Sequence, residues 1–257
     1  MATVLITGAS YGLGADFARL FAGSHHHLIL VARSLDKLIQ LKEELTRKYL
    51  IDIDIISCDL SKHGAAFDLI EELKKYKPVN VLVNNAGIGD YGFFQDLDPL
   101  KQQQMIDLNI TNLTLLTRLL LPYMVQQHSG KILNVASTAA FQPGPLMAVY
   151  FASKAYVLSF SVALANELKG TGVSVTVLCP GATATQFKDN ANLNDSKLFK
   201  RMKLANSRDV AALGIQAMNK RQVIVVDGLL NSFMAFIVRF LPITWQAAVA
   251  RKVQEQG

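Results

Sequence analysis

Along the chain, short aliphatic runs alternate with longer segments of helical period, and this alternation restricts the fold more than any other feature. The runs are Thr3–Thr7, Leu28–Ala32, Ile53–Cys58, Val79–Asn84, Lys131–Val135, Val173–Cys179 and Val223–Val226. Most lack polar alternation, so both faces must be covered, as in parallel strands flanked by helices. Between them Leu13–Ala22, Leu35–Tyr49, Gly64–Tyr76, Leu100–Gln127, Met147–Lys169 and Arg208–Met218 suit helices, with Ser207 as an N-cap for the last. The order predicts an α/β fold: one doubly wound sheet of about seven parallel strands. No linker composition divides it, so residues 1–257 are read as a single domain, ending in an apolar extension over 228–257.

Composition removes several classes of function. Hydrophobic residues make up 51% and charged residues 18%, which supplies a core and excludes intrinsic disorder. Two cysteines, Cys58 and Cys179, end strand-like runs and act as small apolar fillers rather than a disulfide scaffold. The net charge of +6 is scattered, with no run of five basic residues, so no nucleic acid is expected as partner. A phosphate-bearing cofactor is the simpler account of that charge. Thr3-Val4-Leu5-Ile6 runs at once into Thr7-Gly8 with no basic segment before it, so the expected location is cytoplasmic. Leu146–Ala165 approaches the roughly 20 residues of a membrane span, but a lysine at mid-bilayer is costly and Lys154 argues for a covered helix. His25-His26-His27 looks like a metal cluster, yet neighbouring side chains diverge and no Cys or acid stands beside them, so no metal is expected.

Two local features point to a dinucleotide. The first run ends in Thr7-Gly8-Ala9-Ser10-Tyr11-Gly12-Leu13-Gly14 and enters a helix. Glycines at such a turn let the backbone approach a ligand, and the helix N-terminus offers N–H groups and positive dipole to a pyrophosphate. A purely structural turn would use glycine too. The second run ends Val31-Ala32-Arg33-Ser34, without the acid that pairs with a ribose 2′-hydroxyl in NAD sites. Arg33 suits a 2′-phosphate instead, which favours NADP(H), although a solvated arginine would also fit there.

Tyr150 and Lys154 lie four apart in the most apolar helical segment and so share one face. A tyrosine loses its proton near pH 10, and a nearby ammonium lowers that value toward acid–base service. The pair alone is weak evidence, but it belongs to an ordered set: Thr7-Gly8…Gly12-Leu13-Gly14, Asp59-Leu60, Asn84-Asn85-Ala86-Gly87, Asn109, Ser137, Tyr150…Lys154 and Pro180-Gly181…Thr185. On these residues the chain resembles the short-chain dehydrogenase/reductase family along nearly its whole length, which implies a Rossmann-like fold. Ser137 precedes Tyr150 by 13 residues, as the family pattern asks.

The resemblance implies roles. Tyr150 would be the general acid/base, Ser137 an oxyanion stabiliser, and Lys154 the holder of the nicotinamide ribose that also tunes Tyr150. Asn109 would anchor a water that resupplies protons, with Asn112 a nearby competitor. Gly8, Ser10, Tyr11, Gly12, Leu13 and Gly14 would cradle the cofactor, Asp59 and Leu60 its adenine. Asn85, Ala86 and Gly87 would close the fourth strand against it, and Pro180, Gly181, Thr183 and Thr185 would cover the nicotinamide. Tyr11 stands where NADP-preferring members often carry a basic residue, so more of the 2′-phosphate work falls to Arg33.

The reaction implied is reversible reduction of a ketone or aldehyde by NADPH. Phe141 and Phe187, with Ser137 and Tyr150, would face a moderately hydrophobic small-molecule substrate, and Pro143, Leu198, Phe199 and Met202 could add apolar lining. A loop over 186–205 would close the pocket. The chain also resembles, more loosely, 3-oxoacyl and 17β-hydroxysteroid reductase-type members. Two alternatives stand: a 3-oxoacyl reductase at a membrane surface, and a non-catalytic NADP-sensing module. The apolar faces of Leu100–Gln127 and Met147–Lys169 predict a homodimer or homotetramer. For Leu229–Trp245, packing over the cleft or a partner subunit is favoured over lying in a membrane interface.

Overall fold

The strands are β1 (Thr3–Thr7), β2 (His27–Ala32), β3 (Ile53–Ser57), β4 (Val81–Asn84), β5 (Gly130–Val135), β6 (Val173–Cys179) and β7 (Ile224–Val226). In a computed structural model describing residues 1–184 and 204–255, they pair in parallel in the order β3-β2-β1-β4-β5-β6-β7. Every residue of β1 and β2 is buried, which is why their sequence shows no alternation. Val4 pairs with Leu28 on one side and Val81 on the other. The strand order reverses between β1 and β4, so the crevice beyond their carboxyl ends is where such a sheet binds ligands.

Helices cover both faces. On one lie α1 (Gly12–Gly23), α2 (Leu35–Lys48) and, further along the chain, α7 (Ser207–Asn219). On the other lie α3 (Ala65–Leu73), α5 (Asn112–Gln126) and α6 (Ala148–Glu167). Val4 and Ile6 of β1 join Phe17, Phe21, Leu38, Leu45 and Val210 in the first core, while Leu5 joins Leu69, Leu116, Met124 and Leu164 in the second. That split of consecutive residues between two cores is the period-two geometry of a strand.

The expected elements form, with shifted ends. Strand β4 begins at Val81 because Asn80 is used by β1: its backbone N–H donates to the Thr3 carbonyl and its Oδ1 accepts from the Thr3 N–H, at 2.9 Å each. The cap of α7 is Asn206, whose Oδ1 accepts from the N–H groups of Arg208 and Asp209. Ser207 instead donates its hydroxyl to Asp16 Oδ2 at 2.5 Å, tying α7 to α1. The helix read over Leu100–Gln127 starts as α4 (Pro99–Ile106), capped by Asp98, and reaches α5 through one π-helical turn, Asp107–Thr111. Helix α6 is the one helix among the described residues long and apolar enough to cross a membrane, and its buried face packs against the sheet.

After β7 the chain continues into α8 (Leu229–Ile237), a 3₁₀ turn (Val238–Phe240) and α9 (Ile243–Gln254). The Tyr91 hydroxyl, in the loop after β4, donates to the Gln254 carbonyl at 2.7 Å and pins the end of α9. Thr185, Phe187, Leu198, Phe199 and Met202, with nearly all of the expected 186–205 loop, lie outside the described residues.

Candidate active site

The loop between β1 and α1 owes its shape to its glycines. Gly8 has φ of 66°, and a Cβ there would come within 2.8 Å of the Ala86 Cα. At Gly14 a Cβ would overlap the Gly8 carbonyl oxygen. Asn85 fastens the loop from the neighbouring strand end: its Nδ2 donates to the carbonyls of Thr7 at 2.9 Å and Gly8 at 3.1 Å. The Thr7 hydroxyl donates to the Val83 carbonyl and accepts from the N–H groups of Asn85 and Ala86. The first and fourth strand ends are thereby locked side by side at the reversal point.

A cavity of about 500 Å³ opens there, within the usual range for ligand sites. Gly8, Ser10, Tyr11, Gly12 and Leu13 line one part; Gly14 stands behind, spacing the helix from the strand. Arg33, at the exposed tip of β2, lines it, and Lys37 places its ammonium 5.3 Å from the Tyr11 ring centroid. Arg33 thus brings one cation to this part of the cavity, and Lys37 stands next to its Tyr11 wall. Lys37 was missed by sequence reasoning, although its position one helical turn after Arg33 was the available signal. Asp59 and Leu60 line the same part, and Asp59 Oδ1 accepts from the N–H and hydroxyl of Ser61. This cradle and its cations fit a phosphorylated dinucleotide.

The other part of the cavity gathers Ser137, Tyr150 and Lys154 with Asn85, Ala86, Gly87, Phe141, Pro180, Gly181 and Thr183. Ser137 caps a 3₁₀ turn, its Oγ accepting from the Ala139 N–H at 3.1 Å and donating to the Pro180 carbonyl at 3.5 Å. The same hydroxyl lowers the proton affinity of the Tyr150 phenol, with which it lines the cavity. Lys154 is buried and donates from Nζ to the Val135 carbonyl at 3.0 Å, with its ammonium 5.8 Å from the Tyr150 ring centroid.

Burial governs the proton affinities of both groups. It pushes the Tyr150 phenol up to about 12, against the lowering effect of the Ser137 hydrogen bond. It pushes the Lys154 ammonium down to about 8, with only a small opposing pull from Cys179. Sequence reasoning expected the ammonium to lower the phenol. In this structure desolvation of the phenolate outweighs a cation whose hydrogen bond goes to a backbone carbonyl. The buried Cys179 thiol is itself pushed up to about 12, so it is a poor nucleophile.

Asn109 sits on the π-helical turn, nearly inaccessible, and acts as a brace. Its Oδ1 accepts from the Ile88 N–H at 3.0 Å, and its Nδ2 donates to the Ile88 carbonyl at 2.9 Å and to Ser153 Oγ at 3.0 Å. Ser153 in turn donates to the Tyr150 carbonyl, so Asn109 connects the loop after β4 to the helix carrying Tyr150 and Lys154. The Lys154 Nζ and Asn109 Oδ1 both stand against Gly87. Asn112 is occupied elsewhere, tying α5 to Leu60, Lys62 and Ala66. The three histidines diverge: His25 meets Tyr49, His26 meets Phe21, and His27 meets Thr3 and Asp54.

The C-terminal extension supplies a wall of the cavity that sequence reasoning could not assign residue by residue. Asn231, Met234, Ile237 and Leu241 line it from α8 and the turn, Val249, Val253 and Gln254 from α9. Asn231 packs against Gly181 so closely that a Cβ there would overlap its amide, and Arg239 lies 5.7 Å from the Phe141 ring centroid. The wall is mostly apolar.

A family model described as short chain dehydrogenase matches residues 2–196. The chain is 33% identical over 199 residues to hydroxysteroid dehydrogenase-like protein 1 of Gallus gallus, covering 76% of this chain and 60% of that protein. It is 35% identical over 191 residues to a very-long-chain 3-oxoacyl-CoA reductase of Anas platyrhynchos, covering 72% and 61%. The matched region thus spans about three fifths of each of those relatives. Among solved structures, a short-chain dehydrogenase from Sphingobium yanoikuyae in complex with NADPH superposes with a TM-score of 0.83 at 28% identity, covering 94% of this chain and 97% of that one.

Proposed function

The chain belongs to the short-chain dehydrogenase family, and from that premise we propose that it is an NADPH-dependent reductase of ketones or aldehydes, reversible as an alcohol dehydrogenase. The observation that carries this reading is the Ser137–Tyr150 hydroxyl pair, set beside buried Lys154 in a cavity continuous with the glycine loop. The Sphingobium relative, whose structure is a complex with NADPH, adds support for the cofactor.

Bound NADPH supplies the hydride. Ser137 and Tyr150 both hydrogen-bond the substrate's carbonyl oxygen, holding it and drawing charge onto it. Tyr150 gives its phenolic proton to that oxygen, so carbonyl plus hydride plus proton becomes the alcohol. Lys154 holds ribose hydroxyls and stabilises the tyrosinate left behind, which recovers a proton from solvent. Asn109 positions the helix on which both stand. Arg33 and Lys37 hold the 2′-phosphate, the glycine loop the pyrophosphate, and Thr183 and Thr185 the carboxamide side. The domain is taken as residues 1–257.

The apolar wall suits a moderately hydrophobic substrate. A second reading, a 3-oxoacyl chain as substrate, is favoured by the run of Met234, Ile237, Leu241, Val249 and Val253 along that wall, and it agrees with the name of the Anas relative.

The test is cofactor oxidation against diketones, aldehydes, 3-oxoacyl thioesters and steroids, with NADPH and NADH compared. At least one class should turn over with NADPH preferred. On that substrate Arg33→Ala or Lys37→Ala should raise KM for NADPH about tenfold or more, the worth of a charge-assisted hydrogen bond, and leave KM for NADH nearly unchanged. Equal losses for both cofactors would overturn the 2′-phosphate assignment, and no turnover in any class would overturn the activity.

A further inference from the structure

The outer face of the C-terminal extension is bare. Met234, Ala235, Ile237 and Val238 look into the cavity, but Leu229, Leu230, Phe233, Phe236 and Phe240 do not line it and stand in solvent. Leu229 is 93% exposed, Phe240 71%, and Trp245, the chain's single tryptophan, 66%. Ile243 of α9 is exposed as well. The patch reaches the loop after β4, where the half-exposed Phe93 ring lies 5.4 Å from the Arg251 guanidinium. Leaving this much large apolar surface in water is unfavourable, so something covers it.

We propose that this face docks on the surface of a bilayer containing anionic lipid, with the phenylalanines and Trp245 entering the headgroup–acyl boundary. Three observations select a lipid surface. The apolar stretch Leu229–Phe240 is too short to span a bilayer and is not a core helix, since its outer side chains are bare, as those of an interfacial segment are. From Leu229 to Lys252 there is no acidic residue, while Arg239, Arg251 and Lys252 are basic, a one-signed pattern that complements anionic headgroups. The exposed apolar set is aromatic-rich and carries the lone tryptophan, as interfacial segments do. Arg251 also pairs with Glu255 at 2.8 Å and Arg239 lies against Phe141, so Lys252 supplies most of the headgroup attraction and the apolar side chains most of the binding.

The inference concerns binding and stands apart from the enzymatic reading. It gives that reading a consequence: the same short helix has its inner face on the cavity and its outer face on lipid, so an apolar carbonyl compound can reach the cleft from the membrane without crossing water.

Trp245 is a built-in reporter. The protein is mixed with vesicles of phosphatidylcholine, with or without phosphatidylglycerol, and both tryptophan emission and co-sedimentation are measured. Emission should shift to shorter wavelength, acrylamide quenching should fall, and protein should pellet with the anionic vesicles; added salt should weaken the binding without abolishing it. Phe233→Glu and Phe236→Glu, on the outer face only, should each reduce vesicle affinity about tenfold or more while leaving reduction of a water-soluble substrate unchanged. Emission and sedimentation indifferent to vesicles overturn the proposal. So does vesicle binding that both variants retain. Tryptophan already shielded from acrylamide without lipid, in a dimer that Phe236→Glu dissolves, overturns it in favour of a second copy of this chain.

Discussion

Burial favours the neutral form of both Tyr150 and Lys154. A phenol pushed up to about 12 keeps its proton throughout the physiological range, so it is present as the acid, though a weaker one than free tyrosine; the reverse reaction, which needs the phenolate, gains with rising pH. Lys154, pushed down from 10.5 to about 8, makes the folded state resist the ammonium. Below pH 8 both folded and unfolded chains carry that proton, and the burial penalty is present in full. Between about 8 and 10.5 the unfolded chain holds a proton the folded chain has shed, so stability from this group rises with pH. Lys154→Met removes the penalty but orphans the Val135 carbonyl. Relative to the parent, its melting temperature should therefore fall by a few degrees, on the order of 1–3 kcal/mol, as pH rises from 7 to 10. Thermal unfolding of both proteins across that range checks the sign; a difference independent of pH would contradict a depressed Lys154.

At the scale of elements, the outer faces of α5 and α6 bear directly on assembly. Tyr123 and Tyr156 and Val162 are partly bare there, with Tyr156 stacked on Phe160 at an interplanar angle of 11° and bonded to Thr114 across the two helices at 2.9 Å. The two helices thus present one continuous, partly apolar face. Sedimentation at micromolar concentration should give a dimer or tetramer, and Val162→Glu should reduce it to monomer; monomer alone from the parent chain would contradict this. These helices also show the limit of pattern reading. The apolar period of Leu100–Gln127 announces a helix, but nothing in it announces the π-helical turn at Asp107–Thr111, because that slip serves a tertiary demand: bringing Asn109 against Ile88 and Ser153. Likewise Asn206 and Ser207 are both good caps, and only the proximity of Asp16 decides that Ser207 turns away.

Over the whole molecule, strand number and parallel pairing were legible, since unbroken aliphatic runs such as Leu28–Ala32 must be covered on both faces. The residues around the cavity were legible where a motif carried them, as with Gly8, Ser137, Tyr150 and Lys154. Asn231 and Gln254 were not, because their places depend on how α8 and α9 pack rather than on local spacing. Neither was the balance of forces at Tyr150, which turns on burial depth. The extension shows the same limit: an apolar run announces that it is covered, and the fold is needed to show that one face is covered and the other bare. In the proposed reduction one phenolic hydroxyl, that of Tyr150, delivers the proton to the carbonyl oxygen. The most direct measurement of that transfer is single-turnover oxidation of bound NADPH by Tyr150→Phe, beside NADPH affinity from nicotinamide fluorescence. Affinity should stay within a few-fold of the parent while the rate falls about a hundredfold or more. A variant that binds NADPH and turns over at the parent rate would contradict that role.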